Sequence, residues 1–327
     1  MNYPDSVRII EVGPRDGLQN IKEPIETKHK VSYIEMLAQA GCRDIEITAF
    51  VHPKLIPQLS DSVEVCNLLH RKQAESQRPL PAGINSVPPV PTNVGNYFGD
   101  INYSALVPNI KGLERAIECG IKDVAVFTAA SETFNQKNTN TSIDGSIERF
   151  REVVNLARSN NIKVRGYIST AFYCPFEGRI SPDKVVDVSA KLFDLGISEV
   201  SLGDTIGAAV PTDVEKLLEQ VLARFETNTI ALHMHDTRGT ALANVVQGLR
   251  MGMSIFDTSA GGLGGCPFAP GAAGNLATED LVYTLEKMDI KTGIDLEKLS
   301  QASRFMENIL GYSLPSRYLH ASKCAKC

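Results

Sequence analysis

The chain has 327 residues, 43% of them hydrophobic and 22% charged, with a formal net charge of −5. These are globular proportions. Mild acidity without any run of Lys or Arg argues against nucleic-acid binding, which rests on neutralising phosphates. Apolar runs are short and broken by charge, which argues against a membrane span.

The first six residues lead directly into a strand-like run at Val7, leaving no room for a signal or transit peptide, so a cytoplasmic location is expected. Cysteines stand at 42, 66, 119, 174, 266, 324 and 327. An odd, scattered set in such a chain reads as reduced thiols. The terminal Cys324 and Cys327 form a lone CxxC, which reads more simply as a tail with two thiols than as a redox or zinc pair.

Strands are expected to begin near Val7, Asp44, Tyr103, Val124, Val164, Glu199, Thr229 and Ser254. Helices are expected over 27–40, 61–72, 111–119, 144–159, 182–195, 212–225, 239–251 and 277–287, with a last one over 296–310. Ser142 and Asp144 supply an N-cap and a first-turn acid to the fourth helix. Four strands follow a helix that ends in Gly: Gly41, Gly120, Gly196 and Gly252. Two more use Asn, at Asn160-Asn161 and at Asn228. Each is read as a helix C-cap in which the closing residue takes a left-handed conformation, easy for Gly and tolerable for Asn.

Strands separated by helices pair in parallel through crossovers. Eight of them predict a (β/α)₈ TIM barrel. The expected layout is one domain over 1–327, with a barrel about 7–290 and a C-terminal helical extension about 291–327. A doubly wound sheet is the competitor, but it asks for a Gly-rich phosphate turn after the first strand, and Gly13-Pro14-Arg15-Asp16-Gly17 is no such turn. Residues 78–100 carry five prolines, which central strands do not accept, so a Pro-rich insertion is expected before the third strand.

Barrel chemistry gathers where strands end. The first strand runs into Arg15 and Asp16, the second carries Glu46, the sixth ends at Asp204 and the seventh at His233-Met234-His235-Asp236. Residues two apart on a strand share a face, so His233 and His235 point the same way. They are either a divalent-cation site lacking only oxygen ligands or two hydrogen-bonded core histidines. Asp16 offers a hard oxygen to the first reading, or is simply a turn residue before Gly17. Arg15 is a planar cation that could clamp a carboxylate or enolate oxygen, or make a surface ion pair. After the eighth strand, Gly261 to Asn275 contains six glycines and the mid-loop thiol of Cys266. Such a loop can open and close and lets backbone approach a ligand. A tuned thiol there can exchange a proton. Asn275 is either an amide ligand or the N-cap of the following helix.

The motifs GPRDGLQN (13–20), FVHPK (50–54), SLGDTIG (201–207), HMHDT (233–237) and GGLGGCP (261–267) resemble the hydroxymethylglutaryl-CoA lyase family over about residues 7–312. The resemblance implies cleavage of 3-hydroxy-3-methylglutaryl-CoA to acetyl-CoA and acetoacetate. It implies Mg²⁺ or Mn²⁺ held by Asp16, His233, His235 and Asn275. It implies catalytic roles for Cys266, Arg15, Glu46 and Asp204, and contact of Arg15, Lys137 and Asn138 with the acyl-CoA thioester. Leucine degradation and ketone-body metabolism are the routes this implies. A homodimer is carried as an expectation. Two alternatives stay open: a lyase for a longer branched 3-hydroxyglutaryl-CoA, prompted by the long 73–100 segment, and a Claisen-type synthase of the isopropylmalate and homocitrate synthase superfamily.

Overall fold

The computed structural model describes residues 3–76, 101–264 and 274–324. The Pro-rich stretch from 77, Cys266 and Cys327 lie outside the described residues.

Eight parallel strands close into a barrel: β1 (Arg8–Glu11), β2 (Asp44–Ala49), β3 (Asn102–Leu106), β4 (Asp123–Ala129), β5 (Lys163–Ser169), β6 (Glu199–Asp204), β7 (Ile230–Met234) and β8 (Ile255–Thr258). Each pairs with the next, and β1 pairs with β8 to complete the ring. The helices are α1 (Thr27–Gln39), α2 (Ser62–Ser76), α3 (Ile110–Glu118), α4 (Glu132–Thr139), α5 (Ile143–Ser159), α6 (Pro182–Leu195), α7 (Pro211–Leu222), α8 (Ala241–Arg250), α9 (Thr278–Lys287), α10 (Leu296–Leu310) and α11 (Arg317–Cys324). This is the expected TIM barrel, with strand starts within one residue of those read from the sequence. α10 packs against α1 and against the turn Ala260–Gly262, so the C-terminal helices brace the loop that follows β8.

The left-handed closing residues are as expected at Gly41, Gly120, Gly196, Gly252 and Asn161. Asn228 is the exception. It lies inside a short 3₁₀ turn, Thr227–Thr229, and the backbone reaches β7 without a left-handed residue. Ser142 caps α5 by accepting the Gly145 N–H at 3.0 Å. The sequence reading missed α4 and the short hairpin of Tyr173–Cys174 with Gly178–Arg179, while α11 lies within the helical extension expected over 291–327. α4 has only Phe134 and Asn135 buried, too little apolar repeat to signal a helix.

The main core lies between the sheet and the helices, where Ile45, Val164, Ile168, Leu202, Leu232 and Phe256 meet helical Leu37, Leu192 and Leu217. Side chains on alternate positions of the same strands turn into the barrel, where only small apolar clusters form, such as Ile10, Val12, Ala231 and Ile255. Much of the rest of the interior is charged, although branched apolar residues usually dominate there. Glu46, Arg165, Tyr167, His233 and Asp257 fill it instead.

Candidate metal centre

The end of β1 turns sharply. The N–H groups of Arg15, Asp16 and Gly17 all return to the Val12 carbonyl, at 3.1, 2.7 and 3.2 Å, forming one wide turn over Gly13–Gly17. Glycine is required at both its ends. A Cβ on Gly13 would lie 2.6 Å from Glu11 Oε1, and one on Gly17 2.9 Å from the Leu263 carbonyl.

Arg15 is buried and gripped on two sides. Its Nε donates to Glu46 Oε2 at 2.5 Å and its Nη1 to Asp16 Oδ1 at 2.6 Å. Its guanidinium stacks over the Tyr167 ring at 5.3 Å. Burial opposes the charge, but Glu46 and then Asp16 hold the guanidinium firmly protonated. Burial pushes the Glu46 carboxyl up against the opposing pull of Arg15. Glu46 Oε2 also accepts the Tyr167 hydroxyl at 3.2 Å, while Oε1 is buried without a partner.

Asp16, His233 and His235 offer ligand atoms that all lie within 4.8 Å of one another. The two imidazoles present their Nε2 atoms to each other at 3.2 Å. Burial and then the neighbouring His233 lower His235 to about 4, so it is neutral and its ring nitrogens can bind a cation at neutral pH. Burial would raise the Asp16 carboxyl, but Arg15 first, and then the imidazoles and the Asn275 amide, keep it below its ordinary value.

Asn275 enters from the far limb of the glycine-rich loop. That limb lies across the strand ends: Asp236 N–H donates to Gly274 O at 2.7 Å, Leu276 N–H to Met234 O at 3.1 Å, and Asn275 bridges to His235. Asn275 is not the cap of α9, a position held by Ala277. Its amide N–H₂ donates to Asp16 Oδ2 at 2.9 Å and to Leu263 O at 3.2 Å. Its Oδ1 is buried without a partner.

A buried acceptor without a donor is costly unless something fills the role. Two imidazole nitrogens and a carboxylate in one cluster, with an orphaned amide oxygen on the residue bonded to that carboxylate, fit a divalent cation. Structural zinc sites favour thiolate-rich, closed sets instead.

The remaining expected residues fall in different places. Asp204 ends β6 fully buried, its two oxygens accepting the N–H groups of Ala208 and Ala209, both at 3.0 Å. Burial raises it to about 6. Lys137 and Asn138 lie exposed on α4, just beyond the end of β4, with the Lys137 ammonium 4.8 Å from the Phe176 ring. Cys266 lies outside the described residues, but both ends of its loop are anchored at the centre. Gly274 N–H donates to Gly264 O at 3.2 Å, and Gly264 packs against Gly17.

Sequence reasoning missed Tyr167, Arg165, Ser201 and Asp257, which back the centre from inside the barrel. The available signal was charge on alternate positions of apolar strands, as in Val164-Arg165-Gly166-Tyr167 and Ile255-Phe256-Asp257. It also missed Glu11 and Glu279. Their buried carboxyls accept the N–H groups of Ala260, at 2.9 Å, and Gly261, at 2.7 Å, where the glycine-rich loop departs.

Comparison with known proteins gives the family. The HMGL-like family profile matches residues 6–306. The chain is 50% identical over 99% of its length to hydroxymethylglutaryl-CoA lyase YngG of Bacillus subtilis, covering 99% of that protein. The crystal structure of the Bacillus subtilis lyase superposes with a TM-score of 0.88, covering 99% of this chain and all of that one. An Acinetobacter baumannii HMG-CoA lyase, solved in complex with coenzyme A and 3-methylmalate, is 36% identical with a TM-score of 0.85, covering 100% of this chain and 98% of that one. Other relatives carry mitochondrial or cytoplasmic in their names. The longer-substrate and synthase alternatives are not favoured, since the relatives that match end to end carry the lyase name. The chain belongs to the HMGL-like family and stands within it among the hydroxymethylglutaryl-CoA lyases.

Proposed function

We propose that this chain cleaves 3-hydroxy-3-methylglutaryl-CoA to acetyl-CoA and acetoacetate, using Mg²⁺ or Mn²⁺ held by Asp16, His233, His235 and Asn275. The observation that carries the proposal is the cluster of Asp16, His233 and His235 beside a locked Arg15, with the Asn275 amide bonded to Asp16. When bound, the cation supplies Lewis acidity that favours the deprotonated form of the substrate's tertiary hydroxyl.

The chain's own groups do the rest. With the hydroxyl proton passed to solvent water, the C–C bond electrons move to the thioester side, giving a ketone and the enolate of acetyl-CoA. Arg15 faces that developing oxyanion. With Nε and Nη1 engaged, its Nη2 donates to no described residue and is available to the thioester oxygen. Glu46 fixes the guanidinium plane. Cys266, on the loop rooted at Gly264 and Gly274, returns a proton to the departing carbon. Asp204, near 6, can hold a proton close to neutrality and shapes the loop beyond β6. Lys137 and Asn138 meet the coenzyme A portion along α4.

The reading includes a cytoplasmic location, a homodimer and one domain over 1–327. Among the described residues, no helix is long and apolar enough to cross a membrane. The products suit both ketone-body formation and leucine degradation. The test is acetoacetate release from hydroxymethylglutaryl-CoA by the purified chain, with Mg²⁺ or Mn²⁺ and with a chelator. Release that needs the cation is expected, and no release under any condition overturns the proposal.

A further inference from the structure

A metal-binding imidazole is usually oriented from behind, by an acceptor on the ring nitrogen that does not meet the metal. The barrel interior offers such an acceptor to His233. Its Nδ1 lies 3.3 Å from Oδ2 of Asp257, the residue that faces it in register on β8. Asp257 is fully buried and heavily bonded. Its Oδ2 accepts the Ser201 hydroxyl at 2.7 Å and Arg165 Nη1 at 3.1 Å, and its Oδ1 accepts Arg165 Nη2 at 2.7 Å. Arg165 crosses the barrel from β5 with its own geometry fixed. Its Nε donates to Glu199 Oε1 at 2.6 Å, and its guanidinium lies 4.8 Å from the centre of the Tyr167 ring. Glu199 also pairs with Arg8 at the opposite end of the barrel.

We propose that Asp257 and Arg165 are a positioning pair for His233. Burying a carboxylate and a guanidinium where branched apolar residues usually pack is a poor route to stability, because the desolvation penalty offsets the attraction. The pair has a use if it sets the ring. An ionised Asp257 selects the tautomer with hydrogen on Nδ1 and leaves the Nε2 lone pair facing His235 and Asp16. Arg165 keeps the carboxylate from turning. Lysine would present one mobile ammonium in place of a fork held at all three nitrogens. The inference deepens the cation reading of the centre and rests on it.

The test uses the full chain stripped with a chelator, titrated with Mn²⁺ while free Mn²⁺ is followed by electron paramagnetic resonance. ¹⁵N imidazole spectra are recorded in parallel, with the His233 signals assigned by their loss in His233→Gln. Two variants are compared: Asp257→Asn, and the double variant Arg165→Met with Asp257→Leu, which leaves no unpaired buried charge. Wild-type His233 is expected to carry its proton on Nδ1. Both variants should lose that preference and bind Mn²⁺ about 10- to 100-fold more weakly, the usual range for a lost outer partner. Substituting away from the pair for packing reasons alone would not move the tautomer. Unchanged Mn²⁺ affinity or an unchanged tautomer in either folded variant overturns the inference while the cation reading stands. A wild-type chain that binds no Mn²⁺ overturns both.

Discussion

Asn275 donates its amide N–H to Asp16 Oδ2 at 2.9 Å, joining the limb beyond the glycine-rich loop to the turn after β1 across 259 positions of sequence. The same contact that orients the amide nitrogen leaves Oδ1 without a partner, on a residue whose backbone pairs with that of His235. Removing a donor from this set should therefore weaken the cation without unfolding the barrel. For His235→Ala and Asn275→Ala, Mn²⁺ titration of the chelated chain is expected to show at least about tenfold weaker binding. Unchanged affinity in His235→Ala would remove that residue from the ligand set.

Gly264 gives a test that touches no ligand. Its φ is +113°, and a Cβ there would lie 2.9 Å from Asn275 Nδ2 and 3.2 Å from Gly17 Cα. Gly264→Ala is expected to displace Asn275 and weaken Mn²⁺ binding, and the same titration checks it. A variant that binds as tightly as wild type would detach the loop root from the centre.

Arg15 and Cys266 divide the chemistry in this account. Arg15→Lys loses the fork to Glu46 and Asp16. It should lower kcat by about 10² to 10³, the cost of removing one donor to a developing oxyanion. Steady-state acetoacetate release measures this, and a kcat within a factor of about three would contradict the role. Cys266→Ala should keep wild-type Mn²⁺ affinity while losing most turnover, and full activity would eliminate the thiol as proton donor.

The buried carboxyls beneath the loop give the metal-free chain a pH signature. Burial, only partly offset by hydrogen bonds, raises Glu11 to about 7 and Glu279 to about 8 from an ordinary 4.5. Both folded-state values exceed the unfolded ones. The unfolded chain therefore sheds these protons first, and stability falls as pH climbs from about 4.5 through 7 to 8. For Glu11 alone the loss is about 3 kcal/mol. Glu11→Gln and Glu279→Gln should flatten the decline of melting temperature between pH 5 and 8. Melting curves parallel to wild type across that range would contradict it.

Cation binding should depend on pH with the opposite sign. The bond to Asp257 raises His233 although burial opposes its charge, so a proton competes for the ring as pH falls. Mn²⁺ affinity should drop below neutrality, with protons released on binding. Calorimetry in buffers of different ionisation enthalpy reads that release directly, and a binding constant flat from pH 5.5 to 8 would contradict it.

The barrel and most of the centre were legible in the sequence, because both rest on local signals. Gly C-caps at 41, 120, 196 and 252 mark four of the returns to a strand, and the two-residue spacing of His233 and His235 fixes their shared face. What remained hidden depends on closure of the ring. Asp257 and Arg165 come together only when β5 and β8 face across the interior, a relation no short window of sequence contains. Asn275 read equally as a ligand or a cap. Only the antiparallel bridge to His235 shows that the cap lies two residues on, at Ala277.

The central claim is most directly tested by anomalous diffraction from a crystal of this chain soaked in Mn²⁺. The account predicts one strong peak bonded to an Asp16 carboxylate oxygen, Nε2 of His233 and His235, and Oδ1 of Asn275. A peak elsewhere, or none at the barrel mouth with those side chains turned from one another, would contradict it.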